Sequence, residues 1–243
     1  MTQLSPSVQV AVARIREEVT RLHEELVRHE LVVWTAGNVS ARVPGADLFV
    51  IKPSGLAYED LSPENQVVCD LDGNPVENTP GWERLPSSDT AAHAYVYRTM
   101  PEVGGIAHTH SPYATSFAAR GAAIPCVLAA MAQEFGGEIP VAGFATVGDD
   151  SIGRAIVAAL QGHRSPAVLL KSHGVFTIGQ YAVDAVRAAV VAEDSARTVH
   201  LALQLGTPEP LAPNEIDTLF ARRQARRSED HDLHQRPRET RAG

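Results

Sequence analysis

The sequence predicts an α/β domain of helical layers around a central, mostly antiparallel sheet, and three observations carry this expectation. Short apolar runs at residues 48–51, 66–70, 103–110 and 167–174 have the length and composition of buried strands. Longer segments with apolar residues at three- and four-residue spacing lie before, between and after them, as amphipathic helices require. The early part of the chain is hairpin-like, with Asp72-Gly73-Asn74 as a turn between strands, which argues against a doubly wound parallel sheet.

Each element has its own justification. A first helix is expected over residues 7–28, where Val8, Val12, Ile15, Val19, Leu22 and Leu26 repeat at helical spacing. Further helices are expected over 90–100, 113–120, 150–161 and 182–205, the last starting after the Gly179-Gln180 break. At 243 residues and 44% apolar content the chain is long enough for one substantial core, assigned to residues 1–220. From Ala221 onward arginines alternate with acidic residues and apolar side chains are nearly absent. Residues 221–243 are therefore expected to form a flexible charged tail, or to lie on a neighbouring subunit.

Composition excludes several function classes. A formal net charge of −8 leaves no basic face to offset phosphate repulsion, so no nucleic-acid partner is expected. Cys69 and Cys126 sit in apolar surroundings and suit reduced, buried thiols better than a disulfide framework. The N-terminal segment reads as a charged amphipathic helix instead of a secretion signal, and no run approaches membrane-spanning length. The expectation is a cytoplasmic protein with no membrane partner.

The chemistry is concentrated in three short clusters, Ser87-Ser88-Asp89, His108-Thr109-His110 and Ser172-His173-Gly174, each at the end of an apolar run. A strand sends residues i and i+2 to one face, so His108 and His110 are expected to point the same way. Two imidazoles side by side repel when charged and gain from sharing a cation. His173, taken alone, reads more readily as a hydrogen-bonded structural residue. With Asp89 added, the set supplies three nitrogens and one carboxylate oxygen, a common catalytic ligand set for zinc. His93 lies four residues after Asp89 and shares its helix face, which suits a supporting role. Gly37-Asn38-Val39-Ser40, Lys52-Pro53-Ser54-Gly55 and Pro86-Ser87-Ser88 combine small residues with hydroxyl or amide donors, and Lys52 adds a positive charge. Converging loops of this kind suit a phosphate dianion.

In order and spacing these motifs resemble the class II aldolase and adducin family, over residues 36–199. The resemblance implies a metal held by Asp89, His108, His110 and His173, zinc or another divalent cation such as manganese. It implies a sugar-phosphate substrate whose phosphate is held by Asn38, Lys52, Ser54, Gly55, Ser87 and Ser88. It also implies a homotetramer with sites near subunit interfaces. Asp89 and Lys52 look like the L-ribulose-5-phosphate 4-epimerase branch, since the L-fuculose-1-phosphate aldolase branch carries Glu at the position of Asp89. The epimerases supply a catalytic acid where this chain reads Ala130-Met131-Ala132-Gln133, and both branches use a tyrosine near the C-terminus, whereas no tyrosine follows Tyr181. Glu134 is the candidate substitute acid beside Asp89 as the second catalytic carboxylate, although its polar, glycine-bearing surroundings also suit a solvated loop residue. A tail residue from a neighbouring subunit is the other source of an acid. A non-catalytic adducin-like domain and a metal hydrolase using water beside Glu134 are the remaining readings.

Overall fold

The structure is a computed structural model that describes residues 4–235, apart from Glu77, Asn78 and Pro80, with side chains described as far as Arg226. Helix α1 (Pro6–Arg28) starts where the Ser5 hydroxyl accepts the Val8 N–H and proline occupies the first turn, where its missing N–H costs nothing. Its stripe of Val12, Ile15, Val19, Leu22 and Leu26 is buried. The strands are β1 (Asn38–Arg42), β2 (Leu48–Ile51), β3 (Val67–Asp70), β4 (Gly105–Thr109), β5 (Val141–Ala142), β6 (Ala167–Leu170) and β7 (Gly174–Gly179). The further helices are α2 (Thr90–Thr99), α3 (Pro112–Arg120), α4 (Ala129–Phe135), α5 (Ser151–Leu160), α6 (Ala182–Leu205) and α7 (Pro213–Gln235).

The seven strands form one sheet in the order β3-β2-β1-β4-β7-β6-β5. Every neighbouring pair is antiparallel except β5 and β6, so the expected mostly antiparallel sheet between helices is the observed one. Alternation along the strands divides the core. Val39, Ala41, Val50 and Ala107 face α1 and the start of α6. Phe49, Ile106, Val168 and Phe176 face α2 and α5. A third cluster joins α3 and α4 to Leu169, Val175 and the later turns of α6. Among the described residues, no helix is long and apolar enough to cross a membrane.

Two expectations on the elements are corrected, and a helix crosses the expected boundary at residue 220. Residues 167–174 are not one strand: β6 ends at Leu170, Ser172 turns the chain at φ +61°, and β7 begins at Gly174. Residues around Glu134 are not a loop, because residues 129–135 form α4, closed by Gly136 at φ +63°. The expected boundary at residue 220 falls inside α7, whose Ile216 and Leu219 pack on the third cluster and whose Asp217 accepts from Arg164 at 2.5 Å. Residues 236–243 of the expected tail lie outside the described residues.

Candidate functional site

Strand register builds the centre of the site. Asn38 on β1 is opposite His108 on β4, and His108 is opposite Phe176 on β7, so the three stand in one row across the sheet. His110 follows just past the end of β4, and His173 comes from the β6–β7 turn. Gly174 is required beside them, because a Cβ there would stand 2.5 Å from the Thr109 carbonyl and 3.2 Å from both His108 and His110.

One ring nitrogen from each of His108, His110 and His173 lies within 4.8 Å of the others. His108 Nδ1–H donates to the Val175 carbonyl at 2.9 Å, which fixes its tautomer and leaves Nε2 a bare lone pair. That Nε2 is 2.8 Å from His110 Nε2 and 3.9 Å from Asp89 Oδ2. Burial pushes the His108 pKa down to about 3, and it lowers those of His110 and His173 as well. Burial works against the Asp89 carboxylate too, but His108, His93 and the Asn38 amide outweigh it, so its pKa lies below the ordinary value. The donor set is thus deprotonated near neutral pH, and a buried nitrogen of His173, Nδ1, has no hydrogen-bond partner. Neutral imidazoles converging beside a carboxylate fit a divalent cation.

The structure brings most of the expected phosphate residues together at the same end. Ser54 N–H donates to the Leu85 carbonyl at 2.8 Å and Ser87 N–H to the Lys52 carbonyl at 3.0 Å, so the two loops run side by side. Asn38 Nδ2 joins them to the carboxylate, donating to Ser87 Oγ at 3.0 Å and to Asp89 Oδ2 at 2.8 Å. Ser54, Gly55 and Ser88 are exposed on the rim. Lys52 is buried, its Nζ donating to the carbonyls of Thr35 at 3.2 Å and Pro53 at 3.3 Å and lying 5.2 Å from the Tyr58 ring centroid. Burial takes its pKa down to about 8.

Glu134 is not brought to this cluster within the chain. It is buried on α4, with Oε1 3.5 Å from Arg187 Nε. It lines a cleft of about 1000 Å³ together with Val103, Gly179 and Arg223. That cleft lies where β4 begins and β7 ends, and Gly179 there is three residues along β7 from Phe176, the partner of His108, roughly 10 Å at the usual strand rise. Burial raises its pKa against the pull of Arg187. The position just before the Glu138-Ile139-Pro140 segment suggested a role at the cluster, but the side chain faces the α6 end of the molecule.

Phe176, Tyr97 and His23, none of them a candidate in the sequence reading, also shape the site. Phe176 stacks on His108 with ring centroids 4.0 Å apart and 14° between planes. His93, Ser40 and Tyr97 form a buried hydrogen-bonded group on the same sheet face. His23 ties α1 to β1, donating from Nδ1 to the Val19 carbonyl at 2.7 Å and accepting the Val39 N–H at Nε2. The available signal was the polar Asn38 and Ser40 alternating with Val39 and Ala41, a strand pattern whose polar face is buried.

Three histidines converging at one end of a seven-stranded, mostly antiparallel sheet make a candidate divalent-metal centre. Residues 17–200 match the family described as the class II aldolase and adducin N-terminal domain, and the chain belongs to that family. Among solved structures, an L-fuculose 1-phosphate aldolase is 29% identical with a TM-score of 0.80, the match covering 87% of this chain and 96% of that one. The L-fuculose-1-phosphate aldolase of Thermus thermophilus is 25% identical, with a TM-score of 0.67 and coverage of 82% and 100%. YgbL of Klebsiella pneumoniae, described as an aldolase, epimerase or decarboxylase without a choice among them, is 24% identical with a TM-score of 0.74, covering 86% and 98%, and shares the fold.

Proposed function

We propose that this protein breaks and re-forms the carbon–carbon bond between the α and β carbons of a phosphorylated ketose, most like an L-ribulose-5-phosphate 4-epimerase. The observation that carries the reading is Asp89, a short carboxylate bordering the imidazoles and pinned by the Asn38 amide at 2.8 Å. A pinned aspartate suits a ligand that stays in place, whereas a glutamate base must swing. A bound divalent cation, zinc or another such as manganese, supplies the positive charge that draws the electron pair released as the bond breaks. His108, His110, His173 and Asp89 would hold it, and Asn38 orients the carboxylate. Lys52, Ser54, Gly55, Ser87 and Ser88, with Asn38, would hold the phosphate, so that the aldehyde fragment remains in the site and turns over before the bond re-forms.

Cleavage with release of both fragments is the second reading, favoured by the 29% identical aldolase. The place of Glu134 also favours it, since the chain's own cluster then lacks the acid that inversion needs. The hydrolase reading loses its basis with Glu134 away from the histidines. A non-catalytic adducin-like domain would have no use for deprotonated ligands converging on one point. Trp34 and Leu85, 88% and 80% exposed, flank the phosphate loops, which supports a homotetramer whose neighbouring copy covers that rim. The buried, unpaired Cys69 and Cys126 support a reducing, cytoplasmic setting.

The test is to incubate the zinc- or manganese-loaded protein with L-ribulose 5-phosphate and follow the carbon skeleton by NMR. D-xylulose 5-phosphate is the expected product. Dihydroxyacetone with glycolaldehyde phosphate would favour the cleavage reading, and an unchanged spectrum would overturn the epimerase assignment.

A further inference from the structure

Ser40, His93 and Tyr97 stand on the sheet face that carries His108, and none of the three belongs to the donor set. Ser40 Oγ lies 2.7 Å from His93 Nδ1 and 2.7 Å from Tyr97 Oη. All three residues are buried, and His93 Nε2 has no hydrogen-bond partner. Burying two hydroxyls and an imidazole costs free energy that an apolar trio of the same bulk would not. Such a group, fixed by its own hydrogen bonds, can orient the side chains packed against it.

The protons can be placed by counting stranded groups. Burial raises the Tyr97 phenol, so it keeps its proton, and Ser40 Oγ is its hydrogen-bond partner. If Tyr97 donates to Ser40 and Ser40 donates to His93 Nδ1, the remaining ring proton sits on Nε2 and only that N–H lacks an oxygen acceptor. The reverse direction strands both the Tyr97 proton and the Nε2 lone pair.

His93 and Phe176 pack edge to face, centroids 5.9 Å apart and planes at 68°. Phe176 is in turn the ring stacked on His108 at 4.0 Å. Its neighbour Val175 provides the carbonyl that holds His108 Nδ1. The plane of the His108 ring, and hence the direction of its free lone pair, is therefore set by two consecutive residues of β7.

We propose that His93 is a positioning residue for the metal centre, locked by the Tyr97–Ser40 chain and acting on His108 through Phe176. This inference rests on the metal reading of the histidine cluster. The rings are aligned before a cation arrives, so that less freedom is lost on binding.

The experiment uses the full chain, with zinc affinity measured by competition against a chromophoric chelator and the visible spectrum of the cobalt-substituted protein as a geometric readout. His93→Phe keeps the aromatic bulk and removes the ring nitrogens. It is expected to weaken zinc binding on the order of tenfold, as supporting contacts to metal ligands usually do, and to shift the cobalt bands. Phe176→Leu should do the same, and the double variant should be no worse than the more affected single one, since one route is cut either way. Wild-type affinity and spectrum in a folded His93→Phe protein would make His93 a space-filling residue and overturn the proposal, as would losses that multiply in the double variant. Should His93→Phe fail to fold, Tyr97→Phe is read in the same way: a shifted cobalt spectrum supports the proposal and an unchanged one overturns it. A wild-type chain that takes up neither zinc nor cobalt would overturn the metal reading and this inference with it.

Discussion

Nε2 of His108 stands 2.8 Å from Nε2 of His110, between two rings that burial keeps neutral. Such an approach is favourable only with a shared proton or a shared cation, and the carboxylate 3.9 Å from His108 favours the cation. Alanine at 108, 110 or 173 is expected to lower metal affinity by more than the roughly hundredfold that loss of a supporting contact can cost. Metal analysis after dialysis measures this. Stoichiometric metal in His108→Ala would remove the ligand assignment. Chelation should abolish turnover in the wild type, and added zinc or manganese should restore it.

Lys52 is held by two backbone carbonyls, Thr35 and Pro53, which use two of its three N–H donors. The third is available to a phosphate placed against the neighbouring loops. Lys52→Met keeps the length and bulk of the side chain and removes the charge. A charge-assisted hydrogen bond contributes roughly 1.5–3 kcal/mol, so KM for a phosphorylated substrate should rise about tenfold or more with little change in kcat. A fall in kcat at unchanged KM would place Lys52 in the chemistry instead of in binding.

The histidine cluster was legible in the sequence because its information is local: an i, i+2 pair on a strand end and a His-Gly at a turn each point at chemistry by themselves. The helices were legible for the same reason, with α6 bounded as expected at 182–205. Strand β1 was not, since its inward residues Asn38 and Ser40 are polar and break the apolar run that marks a buried strand. Their partners, Asp89 and Ser87 for Asn38 and His93 for Ser40, lie some fifty residues away. The helical setting of Glu134 was hidden for a related reason. Glycines after residue 135 read as a loop, whereas Gly136 ends a helix whose preceding carboxylate is drawn to Arg187 on α6, a contact that no local pattern announces.

Gly37 separates backbone strain from site geometry. It adopts φ +81°, and a Cβ there would stand 2.7 Å from Val32 Cγ1 and 2.8 Å from the carbonyl oxygen of His108. Gly55 has a similar φ of +69° with nothing within 4 Å. Gly55→Ala should therefore cost only the left-handed conformation, about 1–2 kcal/mol. Gly37→Ala should cost that plus an overpacking penalty of about 1–3 kcal/mol, and should loosen metal binding by pushing on His108. Urea unfolding of both variants with zinc titration of each gives the comparison. Equal stability losses with equal zinc affinity would show that β4 yields freely at this point.

Acid should unfold the metal-free protein well before its carboxylates are neutralised. His23 and His108 are pushed down to about 3 and His93 to about 4, against an ordinary value of 6.5, in each case chiefly by burial. The folded state therefore refuses protons that the unfolded chain accepts once the pH falls below about 6.5. Stability is fully present above that pH and is lost as the pH falls toward the folded values. Each ring contributes a slope of about 1.4 kcal/mol per pH unit, so the three together remove about 4 kcal/mol per unit. Carried down to the folded values this is a loss of about 13 kcal/mol, comparable with the whole stability of a domain at about 5–15 kcal/mol. Urea denaturation of the metal-free protein at a series of pH values from 7 downward should show steep proton uptake on unfolding, and a flat profile between about pH 6.5 and 5 would contradict the burial of these rings.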